Sequence, residues 1–266
     1  MTEDVRHTEH GDRQMALSGE ILRTVVGSGV HGIAIPGTDD HDELGIFVEP
    51  PTQVLGVGRP CEHYVFRTQP EGARSGPGDT DLVVYSLRKY LRLVTKGNPT
   101  VLLPLYAPAG DVLVITPLGE ELRALAPRVL SQQAVRRFLG YLESQRSRLL
   151  GRGSRHGVPN RPELVAKFGY DVKYASHALR LAYQGREVAR DGRLTLPMPD
   201  RERERVLAVK RGDVPEMGEV LAEIAAVQAE VEEILERGRT PLPVEPDRAA
   251  INAWSADAHR RAWAWV

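Results

Sequence analysis

The chain has 266 residues, 35 basic and 36 acidic side chains, a formal net charge of −1 and one cysteine. A chain of this length buries roughly 70–75% of its unfolded surface, so it folds without disulfides or a structural metal; Cys61 alone builds neither an internal disulfide nor a cysteine-rich zinc site, which fits a reducing, cytoplasmic setting. An apolar content of 41% at near-zero charge excludes a disordered chain, and the neutral balance excludes a coat of basic surface while permitting a local basic groove.

In chain order, residues 1–12 are polar and carry both charge signs, unlike a signal peptide. Glu20 to Val26 is an apolar run, β-branched toward its end, that leads into Gly27-Ser28-Gly29. Leu44 to Val48, ended by Glu49-Pro50-Pro51, reads as a buried strand, and Tyr64 to Arg67 as a further one. Gln69 to Asp79, rich in Gly, Pro and Ser, reads as a loop before a strand over Asp81 to Tyr85. Ser86 then caps a helix that stops at Gly97. The most apolar long window, Val101 to Gly119, contains three prolines that break any membrane helix.

From about Pro117 the apolar spacing becomes helical: Leu118 to Leu125, then Val135 through Leu149, then a long helix from about Pro215 to Arg237. The remaining surface of that last helix carries Glu219, Glu223, Glu230, Glu233 and Glu236 and reads as a solvated acidic face. Pro241 to Pro246 links to a final helix with Ile251 and Trp254, and the three tryptophans read as intramolecular packing residues. The expected fold is α+β, with a small mixed β-sheet domain over residues 1–115 and a mostly helical domain over 116–266.

The densest chemistry lies between Val25 and Val48. Gly27 and Gly32 let backbone N–H groups approach an anion, because no Cβ blocks the way, and Ser28 adds a hydroxyl donor. The spacing Asp40-x-Asp42 puts both carboxylates on one face of an extended backbone, where they repel unless a cation lies between them. Hard oxygen ligands select Mg²⁺ or Mn²⁺. A later strand offers a third carboxylate, either Asp81, which abuts the apolar run and is preferred, or Asp79 two residues earlier. A phosphate cradle beside clustered carboxylates is what phosphoryl or nucleotidyl transfer needs. His31 and His41 offer imidazoles nearby, but a zinc site there lacks a third well-spaced His or Cys.

These residues resemble the signature of the DNA polymerase beta-type nucleotidyltransferase superfamily: a GS turn, a DxD pair and a later strand-borne acid. The closer resemblance is to the RNA repair pathway polymerase-beta (RlaP) family. Gly27 to Gly32 is similar to its GSRxYG-like turn, and Asp39 through Pro50-Pro51 to its SDxDxxGxxxxPP run. Leu87-Arg88-Lys89-Tyr90, Gly97-Asn98-Pro99-Thr100, Lys173/His177/Arg180, Gly192-Arg193-Leu194 and the stretch Glu245 to Asn252 extend the likeness over most of the chain. Gly29 stands where the family usually has Arg, and His31 where an aromatic is common.

The resemblance implies that Gly27 and Ser28 hold a nucleoside triphosphate, that Asp40 and Asp42 bind the metals, and that Asp81 is the third ligand and activates the acceptor hydroxyl. An RNA end is the implied acceptor; a protein or small-molecule hydroxyl, or a non-catalytic binding role, are the competing readings. Lys173, His177 and Arg180 fall at i, i+4 and i+7 on one helical face, which reads either as a phosphate-binding face or as a solvated basic stripe, the scarcity of Lys and the likeness favouring the first. With 30 Arg to 5 Lys in the chain, each Lys is the more informative cation. Arg146, Arg148, Arg152, Arg155 and His156 form a second basic stretch, equally well read as a plain surface loop.

Overall fold

The structure, a computed structural model, describes residues 7–152 and 161–264. The strands are β1 (Thr8–His10), β2 (Glu20–Val25), β3 (His41–Phe47), β4 (His63–Arg67), β5 (Thr80–Ser86) and β6 (Val112–Ile115). The helices of the first half are α1 (Arg13–Ser18), α2 (Gly27–Val30), α3 (Pro51–Leu55), α4 (Leu87–Val94) and α5 (Leu103–Tyr106). Then come α6 (Pro117–Ala124), α7 (Ala126–Val129), α8 (Gln132–Leu149), α9 (Pro162–Phe168), α10 (Val172–Asp191), α11 (Asp200–Arg211), α12 (Met217–Glu236) and α13 (Arg248–Trp263). No helix among the described residues is long and apolar enough to cross a membrane.

The strands form a mixed sheet in the order β1-β4-β5-β3-β2-β6, with β3 and β5 parallel and the other neighbours antiparallel. The α+β expectation holds. β1 and β6, the two edge strands, are not legible in the sequence. β1 is three residues of polar chain, and β6 lies inside a proline-interrupted apolar window.

Residues paired across neighbouring strands share a face, which sorts the sheet cleanly. On one face Phe47, Tyr64, Leu82 and Val84 bury themselves with Ala16 of α1, and Met15, Leu17 and Phe66 pack around them. On the other face Leu22, Leu44 and Ile46 are buried over β2 and β3, whereas Val65, Val83 and Tyr85 are half-buried and His10, His63 and Arg67 are exposed. Ser86 caps α4 by accepting from the Lys89 N–H.

By contact the described chain falls into two compact units, one of residues 7–95, 100–129 and 247–264, the other of 96–99 and 130–246. α6, α7 and α13, which lie beyond residue 115, therefore cluster with the sheet. Local bonds explain this: the Thr116 N–H donates to the Ile21 carbonyl at 3.0 Å, and Trp254 Nε1 donates to Glu121 Oε2 at 2.9 Å. Trp263 donates to the Glu49 carbonyl, so both described tryptophans pack within the unit; Trp265 lies outside the described residues.

In the second unit α10 is central, touching α8, α9, α11 and α12. Ala175, Ala178, Ala182 and Gly185 keep its girth small enough to be surrounded, and a helix packed on all sides buries even its polar positions. The acidic face of α12 is not merely solvated. Glu219 and Glu223 take Arg205 of α11, Glu223 also accepts from the Tyr183 hydroxyl, and Glu230 takes Arg186 of α10.

Candidate active site

β2 ends at Val25, and Gly27 opens α2 in the left-handed region at φ +63°, where a side chain is strained. A Cβ on Gly27 would also fall on the Asp42 carboxylate, so glycine here makes room for that carboxylate. The Val26 N–H donates to the Asp42 carbonyl at 2.8 Å, which fixes the start of β3 against the turn. Gly27 and Ser28 stand in the first turn of α2, where N–H groups have no partner inside a helix. The Ser28 carbonyl accepts from Ile33 N–H at 3.1 Å and closes the turn behind it.

β3 begins earlier than its apolar run, at His41, and runs parallel to β5 in a register that sets Asp42 opposite Asp81. Asp40 precedes β3 by one residue and Asp42 lies two further on. Ligand atoms of Asp40, Asp42 and Asp81 all fall within 4.8 Å of one another, and each residue is half-buried. The neighbouring acids are otherwise engaged. Asp39 accepts from the Ile35 N–H at 2.5 Å, and Asp79 accepts from the Thr68 hydroxyl at 2.8 Å and the Gly76 N–H at 2.9 Å. Asp79 is thus a loop-closing residue, and Asp81 is the strand carboxylate that reaches the cluster.

Asp81 is held by residues that the sequence does not single out. Gln69 Nε2 donates to its Oδ1 at 2.8 Å, the Ser75 hydroxyl donates to its Oδ2 at 2.8 Å, and Arg67 Nε lies 4.0 Å away. Gln69 is 6% exposed and is anchored in turn through its carbonyl to the Thr8 hydroxyl at 3.0 Å. A Gly/Pro/Ser-rich loop advertises no such role; only the β4–β5 hairpin brings it back onto Asp81.

The histidines do not join the cluster as a zinc set. His41 turns to Glu43 at 3.1 Å, and Glu43 bonds Arg23, which bonds Glu20 on the opposite face of the sheet. His31 is 2% exposed, a packed residue of the turn.

In the second unit, Lys173, His177 and Arg180 share one face of α10 as their spacing requires. That face is graded rather than open: Lys173 is exposed, His177 mostly buried and Arg180 9% exposed. The surrounded position of α10 is the reason. Burial pushes the His177 imidazole down to about 2, with Arg180, Lys173, Arg148 and Arg161 adding to the effect, so the ring is neutral amid cations. Burial also pushes the Arg180 guanidinium down to about 10, and it donates to Gln184 Oε1 at 2.8 Å. Arg161 stacks over Tyr174 and reaches Asp171, the cap of α10. Of the second basic stretch, Arg146 pairs with Glu143, and Arg155 and His156 lie outside the described residues.

Comparison with known proteins adds the following. The sequence model of the RNA repair pathway DNA polymerase beta family matches residues 12–257. No curated protein matches the chain. Among solved structures, a nucleotidyltransferase-like protein from Exiguobacterium sibiricum is similar at 11% identity and a TM-score of 0.29, over 84% of this chain and 71% of that one.

Proposed function

The chain belongs to the RNA repair pathway DNA polymerase beta family and is a nucleotidyltransferase; from that premise we propose that it moves a nucleoside monophosphate from a nucleoside triphosphate to an acceptor hydroxyl on an RNA end, with divalent metal. The observation that carries this reading is the gathering of Asp40, Asp42 and Asp81 beside the Gly27-Ser28 turn. Three hard oxygen donors this close fit Mg²⁺ or Mn²⁺, and repel one another without a cation. All three aspartates would hold the metal. When bound, it supplies neutralisation of the triphosphate and of the oxygens that gain charge in the displacement.

The residues of the chain would divide the remaining work. The N–H groups of Gly27 and Ser28, with the Ser28 hydroxyl, would hold triphosphate oxygens. Asp81 would accept the proton of the acceptor hydroxyl, which Gln69 and Ser75 favour by fixing the carboxylate in place. The acceptor oxygen then bonds the α-phosphorus as the bond to the α–β bridging oxygen breaks, and pyrophosphate leaves with that electron pair. Lys173, His177 and Arg180 would bind phosphate, the buried neutral imidazole offering a hydrogen bond between two cations.

The test is incubation with each α-labelled nucleoside triphosphate, Mg²⁺ and a mixed pool of RNA, protein and small-alcohol acceptors. Label in RNA that disappears with Asp42→Asn and with chelator is the expected result. Label in protein or a small alcohol replaces the acceptor assignment; transfer that survives Asp42→Asn sinks the metal assignment.

A further inference from the structure

Behind Asp42 and Asp81, on the other face of the sheet, stands a chain of charged side chains outside the transfer chemistry. Arg23 of β2 lies at its centre. Its Nε and Nη2 donate to the two Glu20 carboxylate oxygens at 2.8 and 2.6 Å, and its Nη1 donates to Glu43 Oε2 at 3.3 Å. Glu43 Oε1 lies 3.1 Å from His41 Nε2. His41, Asp42 and Glu43 are consecutive in β3, so the outer two point away from the face on which Asp42 stands.

Two irregularities build this arrangement. Glu20 and Arg23 are three residues apart, a spacing that in a regular strand sends side chains to opposite faces. The register of β2 on β3 shifts between Glu20 and Leu22, so one extra residue, Ile21, brings Glu20 round to the face of Arg23. The pairing agrees: Glu20 stands opposite Phe47 and Arg23 opposite Gly45, both on the Glu43 side of β3. Gly45 is the second irregularity. A Cβ there would fall on the Glu20 carboxylate, so bare β3 backbone is the bed across which Glu20 reaches Arg23. A solvated ion pair needs neither device and contributes little. A bidentate fork within a chain of charges, on a Glu20 side chain only 3% exposed, holds its geometry.

Ligand atoms of Asp40, Asp42 and Asp81 lie within 4.8 Å of one another, and carboxylates that close repel until a cation joins them. The repulsion falls on the start of β3, where Asp40 lies just outside the strand and Asp42 is its second residue. We propose that Arg23 is a positioning residue of this cluster: clamped by Glu20 and clamping Glu43, its guanidinium holds the start of β3 from behind and keeps Asp40 and Asp42 converged on Asp81 for a divalent cation. The inference rests on the metal-dependent reading for what the cluster binds, and on the bulge, the glycine and the fork for the clamp itself.

The experiment is Mn²⁺ binding to the full chain, read by electron paramagnetic resonance without nucleotide, in two variants that leave the net charge unchanged. Arg23→Lys keeps the positive charge but cannot bridge two carboxylates as a planar fork. Arg23→Met combined with Glu20→Gln removes the fork and one carboxylate together. Asp42→Asn, which should abolish the tight Mn²⁺ site, identifies the signal, and urea midpoints report that each variant is folded. Expected is an Mn²⁺ affinity weaker by on the order of 10-fold in both variants. Arg23→Met alone separates clamp from charge, because losing a cation by itself tightens Mn²⁺ binding, whereas losing the clamp weakens it. Wild-type affinity in the folded Arg23→Lys and double variants, or tighter binding in Arg23→Met, overturns the clamp and leaves the transferase reading standing. Weakened Mn²⁺ binding in these variants, with a wild-type chain that transfers no nucleotide to anything, supports the clamp and removes the transferase reading instead.

Discussion

Gly27 and Asp42 occupy what is nearly the same space, and the chain resolves the conflict by omitting a side chain. Gly27→Ala meets two penalties, a left-handed backbone and a Cβ on the carboxylate. It should cost on the order of 1–3 kcal/mol in stability and displace Asp42, with transfer reduced far more than the lost stability accounts for. Gly29→Ala, whose Cβ would meet only Val25 Cγ1 at 3.1 Å, should keep most activity. Comparing single-turnover rates and urea midpoints of the two variants checks this. A second expectation concerns Asp81. Removing its fixed donors with Gln69→Leu or Ser75→Ala should weaken metal affinity by about 10–100-fold, read as a rightward shift of the Mg²⁺ activation curve. At this scale the sequence was informative about carboxylates and glycines, whose chemistry is their identity. It was silent about Gln69 and Ser75, whose importance comes from where a hairpin returns them.

α10 illustrates how an element changes the meaning of its residues. The spacing of Lys173, His177 and Arg180 was readable from 3.6-residue periodicity, but the depth of the face was not. Depth depends on α8, α11 and α12 closing around a helix rich in alanine. The buried imidazole makes a pH signature. His177 has a folded value far below the usual 6.5, so the unfolded chain binds a proton that the folded chain refuses. Its contribution to stability is therefore complete above pH 6.5 and lost as pH falls below it, at a limiting slope of about 1.4 kcal/mol per pH unit. His177→Phe should flatten the acid limb of a stability–pH curve. Proton NMR should find the wild-type ring neutral at pH 5, and protonated more readily once inorganic phosphate is bound. The Glu-rich side of α12 teaches the same lesson: its charges looked solvated in one dimension and are paired with Arg186 and Arg205 in three.

Across the whole molecule, the last helix is part of the sheet unit. Glu49, two residues beyond β3, is 3% exposed and meets His259, 5% exposed, at 3.1 Å, while Trp263 donates to the Glu49 carbonyl. The Glu49 carboxyl is lowered: burial opposes the shift, but hydrogen bonds from His259, the backbone and Ser86 outweigh it. His259 is raised, because the bonds to Glu49 and the Ser255 carbonyl outweigh its burial. The carboxylate's contribution is complete above about pH 4.5 and lost as pH falls through its lowered value. The imidazolium's contribution is complete below about pH 6.5 and lost as pH rises through its raised value. Both are in force between those limits. Glu49→Gln should therefore cost most between pH 4.5 and 6.5, on the order of 3 kcal/mol, and progressively less above that window in chemical denaturation. The order of modules was legible from composition, since strands precede helices. The return of residues 247–264 was not, because no local pattern announces a partner two hundred residues away.

Where residues 130–246 leave and re-enter the sheet unit, the two ends adjoin within that unit. The Asp247 N–H donates to the Arg128 carbonyl at 2.9 Å, and Arg128 bonds the Asp247 carboxylate at 2.8 Å. In sequence, residues 130–246 are thus a graft inserted between adjoining ends of the sheet scaffold. During synthesis, the scaffold waits for the whole graft to emerge before its last helix can dock. Looping the graft out and joining Val129 to Asp247 through a short linker should leave a cooperatively folding sheet unit with its three aspartates still gathered, whereas cutting the chain after residue 129 should not.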